Sequence, residues 1–284
     1  MNHPAFGPVV SGEWLARALG AADLRVLDGS WYMPAEKRDP AAEHRAAHIP
    51  GAVFFDIDAI ADKSTALPHM LPSAATFAAA VGALGVSNDD RVIVYDGAGQ
   101  LGAARVWWTF RVFGHARVAV LDGGLPKWRA EGRPVESGGA APEPGHYVAK
   151  PADARLVRGF EQMKANLEQQ VEQVLDVRSA GRFNAAEPEP RPGLRGGHIP
   201  GSLNLPLPAL LDPADKTFLP AARLRVALDT VGLDPARPVV TSCGSGIAAC
   251  VAAIAVELAG FAPVAVYDGS WTEWGGRPDT PVEP

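Results

Sequence analysis

The chain has 284 residues, of which 47% are hydrophobic and 20% are charged, and its formal net charge is −6 at pH 7. This length and composition allow two hydrophobic cores, and the mixed signs of the charges exclude the basic stripe of a nucleic-acid-binding protein. No apolar run reaches the roughly 18 residues of a membrane span, no signal-peptide pattern opens the sequence, and two cysteines are too few for a disulfide framework. We therefore expect a soluble cytoplasmic protein with reduced thiols and with no nucleic-acid or membrane partner.

Short β-branched runs alternate with helical patterns along the whole chain. The predicted strands of the first half are Leu24–Asp28, 92–95 and Val118–Leu121, and its predicted helices are 73–84 and 103–113. The predicted strands of the second half are Gln173–Asp176, Val239–Ser242 and Val264–Tyr267, and its predicted helices are 221–231 and 247–259. Alternation of this kind predicts an α/β fold with a mainly parallel sheet flanked by helices.

The chain also repeats itself once. Four motifs recur in the same order at offsets of 146 to 150 residues. They are VLDGSW and VLDVRS, HIPGA and HIPGS, VIVYDGAG and VVTSCGSG, and VAVLDGGLPKW and VAVYDGSWTEW. A single long period predicts a duplicated domain. We expect domains at 1–135 and 154–284, joined by a linker at 136–153 that is rich in glycine and proline.

Cys243 lies between a predicted strand and a predicted helix, in the loop CGSG. Its counterpart in the first repeat is Asp96, so the fold itself does not require a cysteine there. Open α/β sheets bind ligands at the carboxyl ends of their strands, and loop amides at a helix start form an anion cradle that favours a thiolate. We expect Cys243 to be a nucleophile, with a buried core thiol as the alternative, and Cys250 to belong to the core.

Several motifs together resemble the two-domain rhodanese superfamily, and within it the mercaptopyruvate sulfurtransferase branch. They are the CGSGIAA loop, both HIPG turns, GRFNAAEPEPR, FFDIDAIAD followed by HML, and WTEWG. The neutral CGSG matches that branch, whereas rhodaneses proper carry basic residues after the cysteine. This chain departs from the CGSGVTA of the branch at Ile247 and Ala248. A Cys-x5-Arg phosphatase loop is excluded because Ala249 stands where its arginine would be.

The resemblance implies transfer of sulfur from 3-mercaptopyruvate, with release of pyruvate, through a persulfide on Cys243. The acceptor would be a thiol such as thioredoxin, or cyanide, and no metal or organic cofactor would be needed. Gly244, Gly246, Ile247 and Ala248 would line the substrate site. The alternatives are a thiosulfate:cyanide sulfurtransferase, a persulfide carrier that is not an enzyme, and an inactive scaffold.

The resemblance further assigns Arg182 and Arg191 to the carboxylate and carbonyl of the substrate. The planar fork of a guanidinium suits both groups. From the residues alone, the alternative is a polar loop whose arginines face solvent. Arg178 and Arg195, in the same segment, receive no role.

A proton relay of Ser245, His69 and Asp58 is also implied by the resemblance. Histidine titrates near neutrality, and a carboxylate on its far nitrogen sets its tautomer and orientation. Asp56 is the nearest rival for Asp58. Because the first domain would supply the acid–base pair, we expect the site in a cleft between the two domains.

Other conspicuous side chains are expected to be structural. His48 and His198 occur in the HIPG turns of both repeats, with and without the cysteine, which favours a role in the turn. Trp31, Trp271 and Trp274 are expected in the core or in the wall of the cleft.

Overall fold

The computed structural model describes residues 7–139, 141–261 and 264–284. The chain forms two compact units, each built from more than one stretch of sequence. Unit 1 contains Met1–Asp62, Pro72–Asp153 and Pro213–Thr217, and unit 2 contains Lys63–Leu71, Ala154–Asp212 and Phe218–Pro284. Residues 136–153, predicted as a linker, therefore group with unit 1.

The described part of unit 1 contains a five-stranded parallel sheet in the order β1-β5-β4-β2-β3. Its strands are β1 (Val9–Val10), β2 (Leu24–Asp28), β3 (Val53–Phe54), β4 (Arg91–Tyr95) and β5 (Val118–Leu121). Its helices are α1 (Gly12–Ala18), α2 (Pro40–Ala46), α3 (Ile57–Ile60), α4 (Ala74–Ala83), α5 (Leu101–Val112) and α6 (Gly124–Ala130). The three predicted strands and both predicted helices of this half are confirmed.

The described part of unit 2 repeats this topology, with a five-stranded parallel sheet in the order β6-β10-β9-β7-β8. Its strands are β6 (Val157–Arg158), β7 (Gln173–Asp176), β8 (Leu203–Asn204), β9 (Val239–Ser242) and β10 (Val264–Tyr267). Its helices are α7 (Phe160–Gln169), α8 (Ala180–Phe183), α9 (Ala221–Thr230), α10 (Ala248–Leu258) and α11 (Ser270–Trp274). The shared order of strands confirms the α/β fold and the duplication.

The central strands are the ones that the sequence predicted, because both of their faces are covered and their residues form continuous apolar runs. The core of unit 1 includes Ile93 and Trp128, and that of unit 2 includes Val240, Trp271 and Trp274. The edge strands β1, β3, β6 and β8 have two residues each and were not predicted. Two residues are too short a run to show a period of two.

The register of the sheets places the loop after β4 and the loop after β9 at equivalent points of the two units. Asp28 on β2 pairs with Tyr95 on β4, and Asp176 on β7 pairs with Ser242 on β9. The residue that follows is Asp96 in unit 1 and Cys243 in unit 2. Both therefore leave the carboxyl end of a central strand, which is where this class of sheet binds ligands.

The histidines of the two HIPG turns have equivalent environments. The Nδ1 atom of His48 lies 2.8 Å from the carbonyl oxygen of His44, and the Nδ1 atom of His198 lies 3.0 Å from that of Phe183. Both histidines are buried and form an isolated bridge with a later segment of the chain. These contacts give both histidines a structural role in their units.

Candidate active site

Cys243 begins a buried loop that joins β9 to α10. The residue is 3% exposed, and Ser245 and Ile247 are also buried. Gly246 has φ = 80°, a left-handed conformation that glycine adopts without steric cost. The loop therefore turns sharply before α10 begins at Ala248.

The short helix α11 holds this loop by four hydrogen bonds. The amides of Trp271 and Thr272 donate to the carbonyl oxygens of Cys243 (3.0 Å) and Gly244 (2.8 Å), respectively. The hydroxyl of Thr272 also donates to Gly244 (2.6 Å). The amide of Cys243 donates to the hydroxyl of Ser270 (3.2 Å). The WTEWG motif thus forms the support of the cysteine loop, a role that sequence reasoning did not identify.

Cys250 is fully buried in α10, as predicted for a core residue. Its Sγ atom lies 3.2 Å from the carbonyl oxygen of Gly246, to which the thiol donates a weak hydrogen bond. This second thiol therefore contributes to the shape of the loop from the helix side.

Arg182, at the end of α8, lies against the cysteine loop. A β-carbon placed on Gly244 would be 3.0 Å from its Nη2 atom, so the guanidinium packs on the face of that glycine. The Nε and Nη2 atoms of Arg182 donate to the two carboxylate oxygens of Glu189, with Nε at 3.2 Å. Within the described residues, Nη1 donates no hydrogen bond, so this edge of the guanidinium can receive an anionic ligand.

Glu189 is the anchor of this arginine and was missed at the sequence level. Its side chain is only 2% exposed, and it also accepts a hydrogen bond from Nη1 of Arg178 (2.7 Å). Arg178 is itself fully buried and donates to both carboxylate oxygens of Asp176. The alternation of glutamate and proline in EPEP, next to two candidate arginines, was the signal available in the sequence.

The two arginines without an assigned role are structural. The guanidinium of Arg178 stacks over the ring of Trp271 at 4.3 Å, in addition to its buried ion pair with Asp176. Arg195 donates to the carbonyl oxygens of Gly275 (3.2 Å) and Thr280 (2.9 Å). Both therefore stabilise unit 2 around α11.

Arg191 and His69 lie next to each other in unit 2. The Nη2 atom of Arg191 is 3.4 Å from the Nε2 atom of His69, which is buried and has φ = 62°. The amide of Leu71 donates to the carboxylate of Asp268 (2.9 Å), which lies two residues before Ser270. This contact attaches the segment that carries His69 to the carboxyl end of β10, beside the helix that supports the cysteine loop. Among the described residues, no hydrogen bond joins His69 to the hydroxyl of Ser245.

Asp58 and Asp56 have different surroundings in unit 1. The carboxylate of Asp56 accepts from the amide of Ala59 (2.9 Å) and is the N-cap of α3. The carboxylate of Asp58 accepts from Nε1 of Trp31 (3.0 Å). Trp31 is buried, as expected, and its indole also orients the aspartate that the resemblance had placed in a relay.

The equivalent loop of unit 1 contains a carboxyl side chain in place of the thiol. The carboxylate of Asp96, which is fully buried, accepts hydrogen bonds from the amides of Ala98 (2.8 Å), Gly99 (2.5 Å) and Ala103 (3.0 Å). The amides that could hold a ligand are therefore occupied by a side chain. The loop of unit 2 has Cys243 at the position of this aspartate.

The helices of the described chain include none that is long and apolar enough to cross a membrane. In the same residues, no group of three or more histidine, cysteine, aspartate or glutamate side chains is arranged to hold a metal ion.

Comparisons with known proteins agree with this geometry. The model of the rhodanese-like domain matches residues 11–131 and 160–277. The chain is 46% identical to thiosulfate/3-mercaptopyruvate sulfurtransferase 1, mitochondrial, of Arabidopsis thaliana over 97% of its length and 78% of that protein. It is 42% identical to human 3-mercaptopyruvate sulfurtransferase, over 94% of this chain and 91% of that protein.

A solved structure extends the comparison to three dimensions. The crystal structure of SseA from Escherichia coli, described as a 3-mercaptopyruvate sulfotransferase, superimposes with a TM-score of 0.85 at 36% identity. The match covers 93% of this chain and 99% of that one. The duplicated sheet thus belongs to a known architecture, and this chain is a member of the rhodanese-like domain family, with two copies of the domain.

Proposed function

We propose that the protein is a sulfurtransferase that takes sulfur from 3-mercaptopyruvate and passes it to a thiol. The observation that carries this proposal is the position of Arg182, whose guanidinium lies against Gly244 beside the neutral loop of Cys243. A cysteine loop that has no basic residue of its own, with Arg182 beside it, suits the single carboxylate of an α-keto acid. A thiosulfate dianion would favour additional positive charge in the loop itself.

In the first step, the thiolate of Cys243 attacks the sulfur of 3-mercaptopyruvate. The new S–S bond forms as the C–S bond breaks, and the electron pair of that bond leaves with the carbon as the enolate of pyruvate. Arg182 and Arg191 hold the carboxylate and the carbonyl of the donor. The amides of the loop from Gly244 to Ala248 stabilise the charge that develops on sulfur.

We assign the protons of this step to Ser245, His69 and Asp58. The thiol proton of the donor passes through this relay and returns to the enolate carbon, which yields pyruvate. Nη2 of Arg191 lies 3.4 Å from Nε2 of His69. Because a guanidinium only donates hydrogen bonds, Nε2 is the acceptor in this contact, and Nδ1 is the nitrogen that we assign to the carboxylate of the relay.

In the second step, an acceptor thiolate attacks the outer sulfur of the Cys243 persulfide. The S–S bond to the enzyme breaks, the cysteine thiolate is regenerated, and the acceptor becomes a persulfide. A dithiol protein such as thioredoxin suits this role, because its second thiolate attacks the inner sulfur of the acceptor persulfide, forms a disulfide and so releases the outer sulfur as hydrogen sulfide. We propose a reducing compartment, the cytoplasm, although the Arabidopsis relative is named as mitochondrial.

The experiment compares pyruvate release from 3-mercaptopyruvate with thiocyanate formation from thiosulfate and cyanide. The variants are Cys243→Ser, Arg182→Gln and, as a matched control, Arg223→Gln on the exposed face of α9. We expect Cys243→Ser to be inactive on both donors. Loss of one bidentate charge-assisted contact, worth about 2 kcal/mol, should lower kcat/KM of Arg182→Gln for 3-mercaptopyruvate by about 30-fold.

The outcomes separate the candidate functions. Equal or faster turnover of thiosulfate by the wild type would replace this proposal with a thiosulfate sulfurtransferase, the other donor in the name of the Arabidopsis relative. A Cys243 persulfide that forms without pyruvate release would indicate a carrier. An Arg182→Gln variant that behaves like Arg223→Gln would remove the arginine from the substrate site.

A further inference from the structure

Ser270, the first residue of α11, has an unusual backbone conformation for its type. It is fully buried and has φ = 49°, in the left-handed region that favours glycine. The equivalent residue of unit 1 is Gly124, with φ = 56°. The same turn is therefore made with glycine in the unit that lacks the cysteine and with a strained residue in the unit that has it.

The backbone that surrounds this residue does not depend on its side chain. In unit 2 the amide of Trp271 donates to the carbonyl oxygen of Cys243 at 3.0 Å. In unit 1 the amide of Leu125 donates to the carbonyl oxygen of Asp96, also at 3.0 Å. Because this contact is present in both units, a glycine suffices to join the short helix to the loop.

What serine adds is a hydroxyl between the cysteine and the sheet. Its oxygen accepts a hydrogen bond from the amide of Cys243 (3.2 Å), and its O–H group donates one to the carbonyl oxygen of Tyr267 at the end of β10 (2.9 Å). With this oxygen, both backbone polar groups of the cysteine are held by α11. Strain that is kept at a functional site commonly serves the geometry of that site.

We propose that Ser270 is a positioning residue that aims the thiol of Cys243 by holding the amide of that residue. A fixed amide limits rotation of the peptide that precedes the cysteine, and so limits the direction in which the Cβ–Sγ bond points. The inference rests on the proposed function, in which Cys243 is the nucleophile. A misplacement of about 1 Å lowers a rate by up to about 100-fold, so this restraint has a measurable effect on turnover.

The test compares Ser270→Gly with Ser270→Ala. Both variants remove the hydroxyl, but only glycine also relieves the backbone strain, and unit 1 shows that glycine fits this turn. Gln170→Gly is the control, because Gln170 ends α7 with φ = 50° and is exposed, so the same relief occurs without loss of a contact to Cys243. Turnover with 3-mercaptopyruvate, Tm, and the rate of Cys243 alkylation by iodoacetamide are measured for each, with Cys243→Ala as the blank for Cys250.

We expect kcat to fall by about 10-fold or more in both Ser270 variants, with KM within about 2-fold of wild type, because the hydroxyl touches the nucleophile and not the donor. Tm of Ser270→Gly should equal or exceed that of Ser270→Ala. Alkylation of Cys243 should slow by about 5-fold or more in both variants. Gln170→Gly should match the wild type in all rates.

A Ser270→Gly variant with wild-type kcat would overturn the proposal, and so would a loss expressed only in KM. If the wild type releases no pyruvate, the proposed function fails by itself, and the alkylation rates decide the role of Ser270. Equal rates of Cys243 alkylation in wild type and Ser270→Gly would then refute the positioning role of Ser270.

Discussion

Replacing Asp96 by asparagine should destabilise unit 1, although the two side chains have nearly the same shape. The carboxylate accepts three amide hydrogens in a fully buried loop. An asparagine oxygen in the place of Oδ1 keeps the bonds to Ala98 and Gly99. Its NH2 group then faces the amide of Ala103, so two donors meet where a donor and an acceptor were.

The expected loss follows from this count of hydrogen bonds. One charge-assisted hydrogen bond is removed and one buried amide is left unsatisfied, which together cost about 3–5 kcal/mol. Burial raises the pKa of Asp96, so removing its charge returns part of this free energy. We expect a net decrease of about 2 kcal/mol in the free energy of unfolding, or about 4–8 °C in the Tm of unit 1.

The measurement is differential scanning calorimetry of Asp96→Asn beside Cys243→Ala, the substitution at the equivalent position of unit 2. In the described residues the sulfur of Cys243 makes no hydrogen bond, so Cys243→Ala should keep Tm and lose all turnover. Asp96→Asn should show the reverse, with lower Tm and with turnover retained below its midpoint.

An unchanged Tm for Asp96→Asn would refute the argument that the carboxylate satisfies the loop amides of unit 1. Loss of turnover without loss of stability would instead give Asp96 a role in the reaction.

Two further substitutions test ion pairs. Glu189→Gln removes half of the bidentate contact that orients Arg182, so KM for 3-mercaptopyruvate should rise by about 10-fold in steady-state assays. The control Glu187→Gln changes an exposed glutamate and should leave KM unchanged. Equal KM values for the two variants would contradict the role of Glu189 in orienting Arg182. The hydrogen bond from Lys127 lowers the pKa of Asp215 to about 2. A carboxyl whose pKa is lower in the folded state contributes stability above its unfolded pKa of about 4 and loses it as the pH falls towards 2. For a pair of this exposure, the contribution to the free energy of unfolding is roughly 1 kcal/mol. The Tm difference between wild type and Asp215→Asn should therefore be constant from pH 7 to 5 and shrink below pH 4. A difference that does not change with pH would contradict the ion pair.

The central strands and the duplication could be predicted because each depends on local or repeated patterns. Strands buried on both faces are continuous apolar runs, and β2, β5, β7, β9 and β10 have the predicted bounds. The helix predicted at 73–84 is also close to α4, because both of its ends have local signals: the hydroxyl of Ser73 accepts from the amide of Thr76 at 3.1 Å, and Gly85 follows with φ = 81°. The position of Cys243 at a strand end follows from the same patterns.

The support of that cysteine could not be predicted from local patterns, because it depends on packing between distant segments. Glu189 lies in a polar loop by sequence, yet its side chain is 2% exposed between two arginines. The chain order likewise does not indicate that Lys63–Leu71, with His69, groups with unit 2. The positive φ of Ser270 is locally unfavourable and could not be predicted from the residues around it. The tertiary contacts with Cys243 and Tyr267 account for it. The sequence by itself therefore determined the two sheets and the position of Cys243 at a strand end, since these depend on hydrophobic periodicity. The tertiary structure decided which side chains hold the Cys243 loop and Arg182 in place, since these contacts are long-range hydrogen bonds in a buried environment.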